Sequence, residues 1–170
     1  MSRLLVELHD RVENRKSRAR GPLCVVAVPG FRWSVVLTFG TVLLDGEDPG
    51  SPRAFAAAGH GAAVAFHAAL ERGQLDRIFN GEEWARVYAS VPERLRHLAL
   101  HDKHLIAINE RDRHFITGAL LAREGLALTR EGWRERVSKL ESLGATEIAY
   151  QPAGPDIARE LEVFATAVCG

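Results

Sequence analysis

Residues 144–165 read GATEIAYQPAGPDIARELEVFA, and the order of signals in this stretch decides the fold class. Gly144 follows a helical pattern in which Trp133, Val137 and Leu140 share one face, and it stands where a glycine closes a helix. TEIAYQ is short, largely apolar and bounded by turn signals, which predicts a strand. Gly154-Pro155-Asp156 then punctuates the chain before an apolar stripe of Ile157, Leu161, Phe164 and Val168, which predicts a last helix. Helix, strand, turn and helix in so short a span make up the unit from which helix-covered parallel sheets are built.

Upstream, two further apolar runs fit such a sheet. LCVVAV at 23–28 precedes the Pro29-Gly30 turn, and WSVVLTFGTVLL spans 33–44. Neither alternates apolar with polar residues, which is the pattern of a strand buried on both faces. Gly40 inside the second run marks a bulge or a close backbone approach. Thr38 and Thr41 are an odd number of residues apart and so face opposite sides of a regular strand, which leaves one of them able to point into a pocket.

After the loop DGEDPGSP, Ser51 is a good N-cap and Pro52 a good first helical residue. The helix that follows, FAAAGHGAAVAFHAAL, is expected to break near His60 because of Gly59 and Gly61. GQLDRIFNG reads as a connector. EEWARVYASVPERLRHLALHDKHLIAIN reads as helical on both sides of Pro92, and Thr129 opens the next helix. The order is strand, strand, several helices, strand, helix, which predicts an α/β fold with a thin parallel sheet of about three strands.

The 22 basic and 22 acidic side chains among 170 residues leave no net charge. The basic surplus of a nucleic-acid or anionic-membrane partner is therefore missing. Cys24 and Cys169 sit near opposite ends without a CxxC or metal spacing, and are expected to be two buried thiols. Residues 1–22 form a separate extension. Leu4, Leu5, Leu8 and Val12 outline a short amphipathic helix, and a basic run at 15–20 is either a solvated arm or an anion-binding one. Glu7, His9 and Asp10 interrupt any signal-peptide core, and no apolar run reaches the roughly 18 residues of a membrane span. A cytoplasmic protein is expected.

Four stretches carry side chains able to do chemistry. Gln151–Asp156 lies between a strand and a helix N-terminus, where free N–H groups and the helix dipole can hold a phosphate. Asp156 competes for the same N–H groups, so a well-capped helix start is the plainer alternative. His97, His101 and His104 would share one face of a continuous helix, where they could hold zinc. With no HExxH motif or cysteine beside them, they are read as surface or hydrogen-bonded side chains, and no metal is assigned. Asn109–His114 is either a solvated loop with internal ion pairs or the rim of a ligand pocket. Thr38-Phe39-Gly40-Thr41 is the fourth. No GxSxG, P-loop or GxGxxG occurs.

The opening stretch resembles the C-terminal end of the luciferase-like monooxygenase superfamily, in particular the flavin- or coenzyme-F420-dependent oxidoreductases of the methylenetetrahydromethanopterin reductase type. VVLTFGTVLLDGEDPGSPRAFAAAG and HLIAINERDRHFITG are similar to the family's middle segments, so the resemblance covers roughly 29–168. It implies that residues 23–170 are the C-terminal portion of a (β/α)8 TIM barrel, its last βα units carrying inserted helices. Such a barrel typically needs about 250 residues, and the family's first five or so strands have no counterpart here, so a truncated member, a split gene product or a mis-started reading frame is expected. The implied cofactor is FMN or F420, with Gln151, Gly154, Asp156 and Thr41 as cofactor-binding candidates. The implied partners are a small-molecule substrate and a complementing chain or further copies of this one. The alternative is a non-catalytic remnant that serves as a protein-interaction module.

Overall fold

The computed structural model describes residues 32–169. The expected extension at 1–22, the expected strand at 23–28 and Cys24 lie outside the described residues. The fold is mixed α/β, with helices carrying about half of the described residues and short parallel strands between them.

The run 33–44 does not form one strand. It divides at Gly40 into β1 (Val35–Phe39) and β2 (Thr41–Val42). Gly40 has φ of 133°, and a Cβ there would fall on the Leu126 carbonyl oxygen and 2.8 Å from Trp133 Cζ2. Only glycine tolerates both the conformation and the approach. The break redirects the chain between two partners. β1 pairs in parallel with β4 (Glu147–Gln151), Val35 opposite Glu147 through Phe39 opposite Gln151. β2 pairs in parallel with β3 (Ala127–Leu128). Side chains satisfy carbonyl groups around the break: the Tyr150 hydroxyl donates to the Gly40 oxygen at 2.8 Å and Trp133 Nε1 to the Thr41 oxygen at 2.9 Å.

Burial on both faces of this strand, expected from its unbroken apolar character, is not seen. Val36 and Thr38 are buried, whereas Val35 and Leu37 are 52% and 51% exposed. β4 is likewise covered incompletely, with Glu147 and Ala149 exposed. The apolar pattern is that of a strand with two dry faces, but only one face is covered here.

The helix α1 (Pro52–Glu71) starts as its sequence predicts, with Ser51 Oγ accepting from Ala54 N–H at 3.1 Å. It then runs unbroken through Gly59 and Gly61. Glycine costs a helix about 1 kcal/mol relative to alanine, and close packing offsets that cost. The Ile108 side chain occupies the space of a Cβ at Gly59, and a Cβ at Gly61 would come within 3.1 Å of Phe39 and Leu126. Ala58, Ala62, Phe66, Trp84, Tyr88 and Leu121 form the larger core over this helix. Each large apolar side chain buried there contributes about 1.5–3 kcal/mol.

A short 3-10 turn at Leu75–Arg77 leads to α2 (Gly81–Ala89). Pro92 then occupies the N-cap position of α3 (Glu93–Leu100). The expected continuation of helix to Asn109 does not occur: residues 101–107 are turns, with Lys103 and Leu105 at φ of 57° and 64°. Beyond α4 (Gly118–Arg123), Thr129 caps α5 (Arg130–Ser142), its Oγ1 accepting from Gly132 N–H at 3.2 Å. Gly144, at φ of 98°, closes α5, as a left-handed C′ glycine does.

The last helix, α6 (Ile157–Cys169), buries Phe164 and packs Val168 of its expected stripe but leaves the other two positions exposed. Glu160, Phe164 and Ala167 are buried, while Ile157 and Leu161 are 44% and 46% exposed. Phe164 stacks on Tyr150 at 3.9 Å within a second core that also holds Val42, Trp133 and Ala167. Cys169 is exposed, so the expected pair of buried thiols does not hold at this end. Among the described residues, no helix is long and apolar enough to cross a membrane.

Candidate functional site at the carboxyl ends of the strands

The four residues singled out for a cofactor each have a contact within the protein. The Thr41 hydroxyl donates to Glu160 Oε2 at 2.6 Å and accepts from Arg53 Nη1 at 2.9 Å. Arg53 also pairs with Glu160 at 2.9 Å and with Glu47, and Arg159 Nη1 reaches Glu160 Oε1 at 2.6 Å. Gly154, at φ of 94°, brings the turn against the backbone of α1, where a Cβ would lie 3.1 Å from the Ala57 Cα. Asp156 Oδ1 accepts from the Arg159 N–H at 3.0 Å, and so caps α6. Gln151 Nε2 donates to the Leu105 carbonyl at 2.9 Å. The Gln151–Asp156 turn therefore has the local geometry of a capped helix start pressed onto its neighbour. The close approach that Gly154 permits is to α1.

The Gln151–Leu105 bond draws the 101–107 turn over the carboxyl end of β4. At the adjacent end of β1, Phe39 meets the His60 ring edge-on at 5.6 Å. Histidines gather in this region. His67 on α1, His101 just past the end of α3 and His104 in the following turn each offer one nitrogen, and the three atoms lie within 4.8 Å of one another. The His67 and His104 rings stack at 5.1 Å, and His101 and His104 are 4.9 Å apart. The trio is not the one that sequence spacing suggests. Because α3 ends at Leu100, His97 drops out of the group and His67, thirty-four positions before His101, takes its place. His97 contributes through its backbone, its carbonyl lying 2.9 Å from His101 Nδ1.

Burial is the leading influence on the titration of His60, His67 and His104. Desolvation lowers the pKa of His60 to about 4, with the nearby His104 adding to the effect. The same two causes in the same order, burial and then a neighbouring histidine, lower His104. His67 is lowered by burial first, partly opposed by the Asp112 carboxylate. Both ring nitrogens of His60 and of His67 are buried without a hydrogen-bond partner among the described residues. Buried polar atoms left in that state are uncommon in folded proteins.

Beneath the histidines lies a buried polar network absent from the sequence reading. Asp112 Oδ1 accepts from Trp84 Nε1 and from the Tyr88 hydroxyl, each at 2.7 Å, and Asp112 Oδ2 accepts from Asn109 Nδ2 at 2.8 Å. Burial, and then the bond to Asp112, raises the Tyr88 pKa. Asp112 Oδ2 is 3.8 Å from His67 Nε2. Asn109–His114 carries the expected surface ion pairs, and its inward side chains bond to the protein. Glu110 forms ion pairs at the surface with Lys103 and Arg113, while Asn109 and Asp112 point inward. A usable signal is the pairing of Trp84 and Tyr88, one helical turn apart, because both carry polar tips that need acceptors once buried.

A separate apolar depression of about 210 Å³ is lined by Phe79, Phe115, Thr117, Ala119, Leu120 and Arg123. It contains none of the residues named from sequence. Comparison with protein-family models, with curated proteins and with solved structures found no match to this chain.

Proposed function

We propose that residues 23–170 form the closing part of a (β/α)8 barrel of the luciferase-like type, and that the completed barrel is a flavin- or F420-dependent oxidoreductase acting on a small molecule. The observation that carries this reading is the parallel, side-by-side pairing of β1 with β4, with α5 leading into β4 and the Gly154 turn and α6 leading out. Adjacent parallel strands joined through helices are what two neighbouring units of such a barrel present. The exposed Trp33, Val35 and Leu37 on and beside β1, with Ile157 and Leu161 on α6, are apolar surface that further barrel units would cover.

Thr41, Gly154, Asp156 and Gln151 do not form a ready cradle for a phosphate tail, because their polar atoms and close approaches are directed to the protein itself. In this reading they hold the frame at the barrel mouth. The contacts to FMN or F420 come from walls supplied outside residues 32–169, by a complementing chain or further copies. When bound in their reduced forms, FMN would supply electrons to oxygen and F420 would supply hydride to a substrate.

The second reading, a protein-interaction module without catalysis, draws on the same exposed apolar residues and on the inward engagement of all four candidates. Purification from the native cell, with light scattering for mass and absorbance for bound cofactor, separates the two. An assembled species carrying stoichiometric flavin or F420 is expected. A complex with a partner and no cofactor would favour the module.

A further inference from the structure

We infer that His67, His101 and His104 form a binding site for a single first-row divalent metal, zinc above all, with the fourth coordination position open. Their nitrogens converge to within 4.8 Å of one another, whereas three ligands around tetrahedral zinc at 2.0–2.1 Å stand about 3.3 Å apart. Reorientation of the rings, of the nearly parallel His67 and His104 above all, would have to close that gap. His67 is the second, independent observation. It is buried, it faces the other two rings at 5.6 and 5.1 Å, and neither of its nitrogens has a hydrogen-bond partner among the described residues. An imidazole so placed, with no partner of its own, lacks what a metal would supply.

The surroundings suit a cation. The His101 Nδ1 contact with the His97 carbonyl at 2.9 Å leaves Nε2 as the free lone pair, and a backbone carbonyl is a common orienting partner of a metal-bound histidine. Asp112 Oδ2, 3.8 Å from His67 Nε2, is within a small shift of giving the second ring a carboxylate partner. Asp112 and Glu71 place negative charge near both His67 and His104. The backbone is also committed. Lys103 and Leu105 flank His104 in the left-handed region, which costs on the order of 1 kcal/mol or more for each such residue and recurs at ligand-binding sites. Three protein ligands with an open position is the pattern of reactive rather than purely structural zinc.

The test uses the full chain without an affinity tag, stripped with chelator, dialysed and titrated with zinc and then with cobalt at pH 7.5. One equivalent of zinc and the intense visible spectrum of four-coordinate cobalt are expected. His101→Ala, at an exposed position, and His104→Ala are each expected to weaken binding at least tenfold. His97→Ala keeps the backbone carbonyl and is expected to bind as the parent does. Circular dichroism establishes that each variant is folded. Less than about one tenth of an equivalent in the parent would overturn the inference. So would unchanged affinity in folded His101→Ala and His104→Ala, or a loss in His97→Ala as large as theirs. No flavin or F420 enters the experiment, so its outcome is independent of the oxidoreductase reading.

Discussion

Two buried polar clusters lie at the carboxyl ends of the strands, and they are finished differently. Around Glu160, Thr41 donates, Arg53 and Arg159 pair with the carboxylate, and Glu47 holds the far side of Arg53. Arg53 pulls the Glu47 pKa down to about 2, the behaviour of a carboxylate stabilised in its charged form. Around His67 the balance is reversed. Burial depresses the pKa values of His60, His67 and His104, and four imidazole nitrogens lack partners. Opposite charges complete the first cluster from within the chain. The second holds ligand atoms that the described residues do not satisfy. The first is therefore assigned to the frame, and the second is where a bound species has something to add.

The largest effect expected from breaking this contrast is at Glu160. Glu160→Ala leaves Arg53 and Arg159 facing a buried site without their shared carboxylate. Removing one partner from a buried ion pair costs about 3–5 kcal/mol. Urea unfolding at pH 7 should show a loss near the lower end of that range, because Arg53 can retain Glu47. A loss below about 1 kcal/mol would mean that the cluster is not part of the frame.

Acid titration separates the two clusters by pH. The folded-state pKa of His60, about 4, lies below the ordinary 6.5, so below pH 6.5 the unfolded chain takes the proton first. Stability should be level above pH 6.5 and fall as the pH drops from 6.5 toward 4, by about 3 kcal/mol. Glu47 behaves as a depressed carboxylate. Its contribution is complete above the ordinary 4.5 and is lost as the pH falls toward 2. Unfolding free energies measured across this range should thus fall in two phases. His60→Gln should shrink the upper phase, to which His67 and His104 also contribute, and Glu47→Gln the lower. One phase removed equally by both substitutions would contradict the division.

The smallest expected effect is at the turn that first suggested an anion site. Asp156→Ala removes the cap on the Arg159 N–H and should cost about 1 kcal/mol, the usual worth of an N-cap. Thermal unfolding would measure it. A stabilising effect of Asp156→Ala seen only in the presence of phosphate would restore the turn as an anion site.

The parts legible in the sequence are those decided by local chemistry. Ser51-Pro52, Thr129 and Gly144 mark helix ends because capping depends on residues a few positions apart. Gly40 was readable as a bulge or a close backbone approach, but not as the point where the strand divides, since the Leu126 carbonyl and Trp133 that require it come from distant segments. Gly59 and Gly61 mislead for the same reason. Their cost to the helix is local, and the Ile108, Phe39 and Leu126 contacts that offset it are not. The histidine site shows the limit most clearly. Spacing brings out His101 and His104, but pairs them with His97 on a helix that ends too early. His67 reaches them only once α1 and the 101–107 turn have packed together. Asn109 and Asp112 sit in a charge-rich stretch that reads as solvated, and their burial follows from the Trp84 and Tyr88 tips that seek them.

On the proposed reading, these residues close a barrel built for a flavin or deazaflavin. Fluorescence titration of the full chain with FMN and with F420, alongside light scattering at the same concentrations, tests it most directly. A saturable change in the fluorescence of one of the two is expected, carried by an associated species rather than the monomer. A chain that stays monomeric and leaves both titrations flat would contradict it.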